Sequence, residues 1–384
     1  MILSALTTVR SPDERTAWSS LQRFQNVASV TDLMVALHAL PPGQRKNAQK
    51  QAKQIRYCLM QAREYAAAAR VVSLVTKPTL LYYAVMNLAL AEVLLKQSGD
   101  FSLDRAREHH RHHGLLFSDT RSGPLSDELT VSASGLFARP MVLQREAEEE
   151  RLGTFELWHR GAREAPYVGK YTNTHEGGGQ TSGTEILAGP DDIRMPLLNQ
   201  KGLTLLDCLT HIPDMLNFVN SYGIRSNCAR GAMVREDFPE RSVLRFVLHP
   251  SDIAHEVFES LEIHPNLVDR LNYIPLPSGG VITINSDPVN NSCSMRLPPG
   301  AATSTTEFRC WLDRKSPLNE FGYIYVALFI AGNYARYYPD RWVADVENSA
   351  PIALAIEELL SIAERRVPWA TLSELSRSYH VFSD

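Results

Sequence analysis

Lys77 to Gly99 reads KPTLLYYAVMNLALAEVLLKQSG, and this stretch decides the fold. Pro78 suits the first turn of a helix, where its missing N–H would have had no partner anyway. Ser98-Gly99 marks the stop, because glycine most readily takes the left-handed conformation that follows a helix C-terminus. Between these marks, Thr79 to Gln97 is apolar nearly all round. A helix with no polar face has none to offer solvent, so it belongs at the centre of a bundle.

Working outward, Gln44 to Arg70 is built of Gln, Lys, Arg and Ala without Pro or Gly. Those are strong helix formers, so a long exposed helix is expected after the break at Pro41-Pro42-Gly43. Trp18, Leu21 and Phe24 recur at three-residue steps, along one helical face. At the other end, Phe321 to Tyr338 reads as a buried helix closed by Pro339. Ala350 to Arg366 reads as an amphipathic helix with Ile352, Ile356, Leu359, Leu360 and Ala363 on one face. From Phe155 to Asp313 the texture differs. Ser242–Pro250, Gly279–Ser286, Cys293–Pro298 and Thr305–Asp313 are short, rich in β-branched or aromatic residues, and bounded by Pro, Gly and Asn, as antiparallel strands are. Helices intervene around Leu203 to Gly223. The glycine-rich HEGGGQTSGTE, His175 to Glu185, has Glu185 where a phosphate-cradling loop needs Ser or Thr after a Lys, and reads as a connection between strands.

The expectation is an α+β protein: a helical domain over 1–150, a mixed region with antiparallel strands over 151–315, and a C-terminal helical region over 316–384 packing on the rest. The charged run REAEEER, Arg145 to Arg151, marks the first boundary. A chain of 384 residues exceeds what one hydrophobic core usually supports. With 44% hydrophobic and 21% charged residues, disordered, collagen-like and coiled-coil classes are excluded. The net charge of -4 excludes a generic polyanion binder, yet residues 1–125 hold 16 Lys and Arg against 9 Asp and Glu. Any polyanion would therefore face the N-terminal part.

The opening MILSALTTVR has no small-residue cleavage site, so a secretory signal is not expected. The uncharged stretch Phe321 to Ala335 falls short of the ~18–20 residues that span a bilayer. The five cysteines, Cys58, Cys208, Cys228, Cys293 and Cys310, form no C-x-x-C pair, which argues against a disulfide framework or a structural zinc site. A cytoplasmic protein with no membrane partner is expected.

The most unusual segment for chemistry is RAREHHRHHG, Arg105 to Gly114. Imidazole and guanidinium together suit RNA cleavage, in which a His moves a proton and an Arg stabilises charge at the phosphate. Arg107 with His112 or His113 is the candidate catalytic set, and Arg105 and Arg111 are candidate phosphate contacts. The same residues also read as a solvated basic turn. His109 and His113 stand at i, i+4, as in zinc helices, but no third ligand is evident nearby. No metal or cofactor is expected. The helix from Arg45 to Arg70 carries seven Lys or Arg against Glu64 alone. Lys50, Lys53 and Arg56 are its candidate nucleic-acid contacts, with a solvated face docked on the acidic remainder as the structural alternative. No G-x-S-x-G elbow and no dinucleotide fingerprint occurs. Asn333 and Arg336, polar residues in an otherwise apolar helix, read mainly as locks between helices.

KPTLLYYAVMNLALAEVLL (Lys77 to Leu95), HHGLLF (His112 to Phe117) and AGNYARYYPDRW (Ala331 to Trp342) resemble the YaaC-like bacterial proteins, as do AWSSLQRF (Ala17 to Phe24) and the block from Pro351 to Phe382. The middle of the chain matches only loosely, and the family brings no assigned activity with it. A fainter resemblance is to HEPN-type helical domains, which place a YYA helix before a His-Gly helix start, much like Tyr82-Tyr83-Ala84 and His113-Gly114. Many of those are ribonucleases or RNA binders of toxin and antiphage systems, often dimeric. Their signature is an Arg, usually followed by a polar residue, with a His a little further on; here Ala106 follows Arg105 and Glu108 follows Arg107. The resemblance implies an RNA-directed protein, binding RNA or cleaving it without metal, in bacterial antiphage or stress defence, as a homodimer. The competing expectation is a non-enzymatic scaffold that binds a partner protein.

Overall fold

A computed structural model describes residues 5–10, 14–96, 112–121, 128–141, 153–161, 168–176, 179–187, 198, 201–237, 242–249, 258, 262–263, 271–276, 279–286, 295–296, 307–311 and 318–383. In chain order the N-terminal part holds β1 (Ala5–Arg10), α1 (Glu14–Leu21), α2 (Val27–Leu37), α3 (Arg45–Val71) and α4 (Lys77–Lys96). Then come β2 (Leu115–Asp119), α5 (Leu129–Ser134), β3 (Leu136–Pro140) and α6 (Thr154–Gly161).

Helix α3 does not stand free. Ala48, Ala52, Ile55, Leu59, Ala62, Ala66 and Ala69 recur at three- and four-residue steps and are buried. Small alanines let α4 approach closely, while the charged residues keep to the outer face. Helix α4 is the central one. It packs against α3 and α6 and against two helices from the far end of the chain, α9 (Glu320–Tyr337) and α11 (Pro351–Ser376). Among the described residues it is also the one helix long and apolar enough to cross a membrane, and 72% of its apolar window is buried in the protein.

The middle of the chain supplies β4 (Val168–Glu176), β5 (Gly179–Leu187), β6 (Leu203–Thr204), α7 (Leu205–His211), α8 (Leu216–Ser221), β7 (Cys228–Asp237) and β8 (Ser242–His249). It continues through β9 (Glu262–Ile263), β10 (Leu271–Leu276), β11 (Gly279–Ser286), β12 (Met295–Arg296) and β13 (Glu307–Trp311). These build a five-stranded sheet in the order β10-β11-β8-β7-β13 and a four-stranded sheet β5-β4-β12-β9, while β2-β3-β6 form a third. Every pairing in the three is antiparallel. The protein is α+β, helical at both ends.

Three details depart from the sequence reading. Most of the glycine-rich stretch is strand: His175 and Glu176 end β4, Gly179 to Glu185 belong to β5, and His175 pairs with Gln180, while Gly177 and Gly178 lie outside the described residues. Pro339 does more than close α9, because it occupies the first turn of α10 (Pro339–Glu347), where a proline fits. Helix α11 runs past Arg366 and through Pro368 to Ser376, ending where Arg377 turns left-handed at φ 55. Beyond it, β14 (Ser378–Ser383) pairs in parallel with β1. One hydrophobic cluster runs from Ala17 to Leu375 and includes α4, Phe155 and Trp158 of α6, Leu205 of α7, and the buried face of α9.

Candidate functional site

The segment His112-His113-Gly114 is pinned to the start of α6. A helix begins with backbone N–H groups that have no partner within it. Here Thr154 and Phe155 donate theirs to the carbonyls of His112, at 3.3 Å, and His113, at 3.0 Å. Gly114 sits at φ +87 and donates its N–H to Nδ1 of His112 at 3.1 Å. Gly153 lies against this turn so closely that a Cβ there would stand 2.1 Å from the Gly114 nitrogen. Two glycines thus allow the backbone approach that fixes both imidazoles.

From that anchor the His113 ring meets Tyr82 edge-on at 5.7 Å and Tyr83 at 6.4 Å. Both tyrosines belong to α4. Tyr83 stacks on Tyr65 of α3, with ring centroids 5.5 Å apart, and its hydroxyl accepts a hydrogen bond from Arg336 of α9 at 3.1 Å. Four elements therefore converge: α3, α4, α9 and the turn before β2. His113, Tyr65 and Tyr83 are half-buried, and Arg336 is exposed. Burial lowers the His113 pKa below the ordinary histidine value, and the positive charge of Arg336 and the neighbouring His112 lower it further. The imidazole is then neutral at neutral pH and able to take a proton. No carboxylate among the described residues forms an ion pair with Arg336.

Of the residues singled out from the sequence, His112 and His113 stand in this rim. Arg105, Arg107 and Arg111 lie outside the described residues, as does His109. Lys50, Lys53 and Arg56 are exposed on the outer side of α3. At 1.5 Å per residue, Lys53 and Arg56 lie roughly 18 and 14 Å along the helix axis from Tyr65, so they do not join the rim. Among the described residues no group of His, Cys, Asp or Glu could hold a metal ion.

The sequence gives no chemistry to Tyr65 or Tyr83, and a site role for Arg336 is only its weaker alternative; Tyr82-Tyr83 enters through the family pattern alone. For Arg336 the signal was a charge in an apolar helix, and it does bridge α9 to α4. Asn333 does not: its amide donates back to the Phe329 carbonyl of its own helix at 2.7 Å.

A second polar cluster lies on the same helix. Asp119, at the end of β2, receives the Arg121 Nε and NH2 at 2.9 and 2.8 Å and the Arg121 backbone N–H at 3.0 Å. Arg341 reaches the same carboxylate at 3.4 Å. The Arg121 guanidinium lies 4.3 Å over the ring of Tyr334, whose hydroxyl donates to Asp345 at 2.5 Å. Burial drives the Asp119 pKa up, but the hydrogen bonds from Arg121 outweigh it and hold the carboxyl below its ordinary value. Burial raises that of Asp345. Deeper still, Glu92 of α4 accepts the Trp158 indole N–H at 2.7 Å, and burial pushes its pKa up to about 8.

No curated protein and no solved structure matches the chain. The family model for YaaC-like Protein matches residues 23–375, which takes in every described residue of the His113 rim and leaves out β1, α1 and β14. With nearly its whole length matched, the chain belongs to the YaaC-like family.

Proposed function

We propose that this protein acts on RNA through the His113 rim, as a HEPN-like domain that binds the strand and cleaves it without metal. The observation that carries the reading is the meeting of a neutral imidazole, an exposed guanidinium without a carboxylate partner among the described residues, and a tyrosine stack, drawn from separate elements. In the cleavage step His113 takes the proton of a ribose 2′-hydroxyl. The 2′-oxygen bonds to phosphorus, the bond from phosphorus to the 5′-oxygen breaks, and that oxygen leaves with the proton that the His113 imidazolium gives back. A 2′,3′-cyclic phosphate and a 5′-hydroxyl result, with no redox change. Arg336 faces the negative charge that grows at phosphorus, and Tyr65 and Tyr83 offer rings on which bases stack. Arg105, Arg107 and Arg111 precede the rim in sequence and add positive charge to the segment. A cytoplasmic role in bacterial antiphage or stress defence rests on the HEPN resemblance.

The test is degradation of a mixed RNA substrate by purified protein in chelator. We expect cleavage by the wild type and a fall of about 100-fold or more in His113→Ala, the usual worth of a general base. Undiminished cleavage by that variant removes the site, and no cleavage by the wild type removes the enzymatic reading.

One observation favours the scaffold alternative. Tyr57, Met60 and Val71 on the outer side of α3 are exposed by 58%, 44% and 85%, and steps of three and eleven residues put them on one side of the helix. Such a seam takes a second helix, from a partner protein or from another copy of the chain. A dimer in light scattering that Met60→Asp converts to monomer supports the second copy.

A further inference from the structure

Lys53, Tyr57, Gln61 and Tyr65 stand four residues apart on α3. Residues at that spacing are neighbours on a helix surface. Each step rises about 6 Å along the axis and turns about 40° around it. The four side chains therefore form a shallow spiral ridge. It starts at Lys53 on the outer side of the helix and ends at Tyr65, which stacks on Tyr83 in the rim. Lys53, Tyr57 and Gln61 are exposed, Tyr57 by 58%, and Tyr65 is half-buried.

Tyr57 is a large ring left in solvent, and it meets no other ring among the described residues. Arg56, three residues on from Lys53, flanks the start of the ridge and is exposed too. Neither cation forms an ion pair among the described residues. Glu64, which flanks Gln61, is the one acid of α3. A partner helix would ask for aliphatic residues along such a ridge. A single strand of nucleic acid asks instead for flat rings under its bases and cations near its phosphates. A rise of about 6 Å per step is on the order of one nucleotide in an extended strand. The distance that keeps Lys53 out of the rim is thus a distance that a few nucleotides cover.

We propose that single-stranded RNA held at the rim continues along this ridge, with a base on Tyr57 and phosphates at Lys53 and Arg56. The inference rests on the reading of the rim as an RNA site and adds a length requirement to it. The ligand is an unpaired strand of roughly four nucleotides or more, one for each step of the ridge.

Fluorescence anisotropy on the full chain tests it, with a 2′-O-methyl RNA 12-mer of mixed sequence as the probe. The methyl group blocks the 2′-oxygen, so the probe binds without being cut and the result does not depend on the cleavage step. The 12-mer should bind about tenfold or more tighter than a 2′-O-methyl dinucleotide. Tyr57→Ala should weaken the 12-mer about tenfold, the scale of one lost base stack, and alanine keeps the helix at this exposed position. Lys53→Ala should weaken it and lower the salt slope by about one. Glu64→Gln should strengthen it, a gain that a misfolded variant does not imitate. A dinucleotide bound as tightly as the 12-mer overturns the proposal and leaves the rim reading standing. So does a 12-mer indifferent to Tyr57→Ala, or a dimer in light scattering that Tyr57→Ala dissociates. Affinity that falls with Tyr57→Ala but not with Arg336→Ala places the strand on α3 away from the rim and overturns the continuity. No binding of the 12-mer overturns this proposal and the RNA reading together.

Discussion

Helix α9 carries two arginine–tyrosine clusters within one turn, and they are opposites. At Tyr334 the guanidinium of Arg121 lies over the ring, fully engaged by Asp119 and close to Asp345, and the tyrosine hydroxyl has its own carboxylate. At Tyr83 the guanidinium of Arg336 makes one hydrogen bond among the described residues, to the tyrosine hydroxyl, lies 4.9 Å over the Tyr337 ring, and is exposed beside a histidine. Both use the same residue types. The first pairs each guanidinium with a carboxylate, and it ties the bundle to β2. The second has no carboxylate ion-paired to Arg336 among the described residues, which is the property the proposed RNA contact uses. Composition does not separate the two clusters; the carboxylates do.

Three measurements break or sharpen that contrast. The largest effect belongs to Asp119→Ala. It leaves the Arg121 charge buried without its main partner and should cost about 3 kcal/mol in chemical denaturation, the scale of a broken buried pair. Arg336→Ala should change stability by less than about 0.5 kcal/mol, as exposed substitutions do. Equal losses in the two variants would erase the distinction.

Next in size is Glu92, which is buried but lacks a guanidinium. Its ordinary pKa of 4.5 in the unfolded chain rises to about 8 in the fold. Stability from this group is therefore complete below about pH 4.5 and is lost as pH climbs toward 8, where the carboxylate must charge in the core. Glu92→Gln keeps an acceptor for the Trp158 N–H and should flatten this slope, leaving the variant more stable than the wild type at pH 8. A slope unchanged in the variant would mean that another group sets it.

The smallest effect is a shift in a pH profile. His113 is held below the ordinary value of 6.5, so the acid limb of RNA cleavage should lie below that pH. Removing the neighbouring charge in Arg336→Ala should move the limb upward, toward the ordinary histidine value. A limb that stays in place would show that Arg336 does not act on this imidazole.

How much could be read beforehand follows the range of the interactions. Helix α4 was legible because its pattern is local: an apolar run between a proline and a glycine. The strands β8, β11, β12 and β13 were legible for the same reason. Pro368 hid the length of α11, because a proline signals a helix end unless packing overrides it. The hairpin β4–β5 was obscured by Gly179 and Gly183, which sit in a paired strand. In the rim, His113 announced itself through an unusual cluster. Its partners did not: Tyr83 and Arg336 are 253 residues apart, and no spacing rule joins them. Only the packing of α9 on α4 does.

The parallel pairing of β1 with β14 has a consequence for how the chain is made. Residues 5–10 leave the ribosome well before their partner strand, residues 378–383, which is translated hundreds of residues later. Until then the early strand has open backbone donors and acceptors, the condition that invites stray association. Closure of this ladder thus waits until residues 378–383 have been made, and a product truncated before residue 378 would carry an unzipped edge.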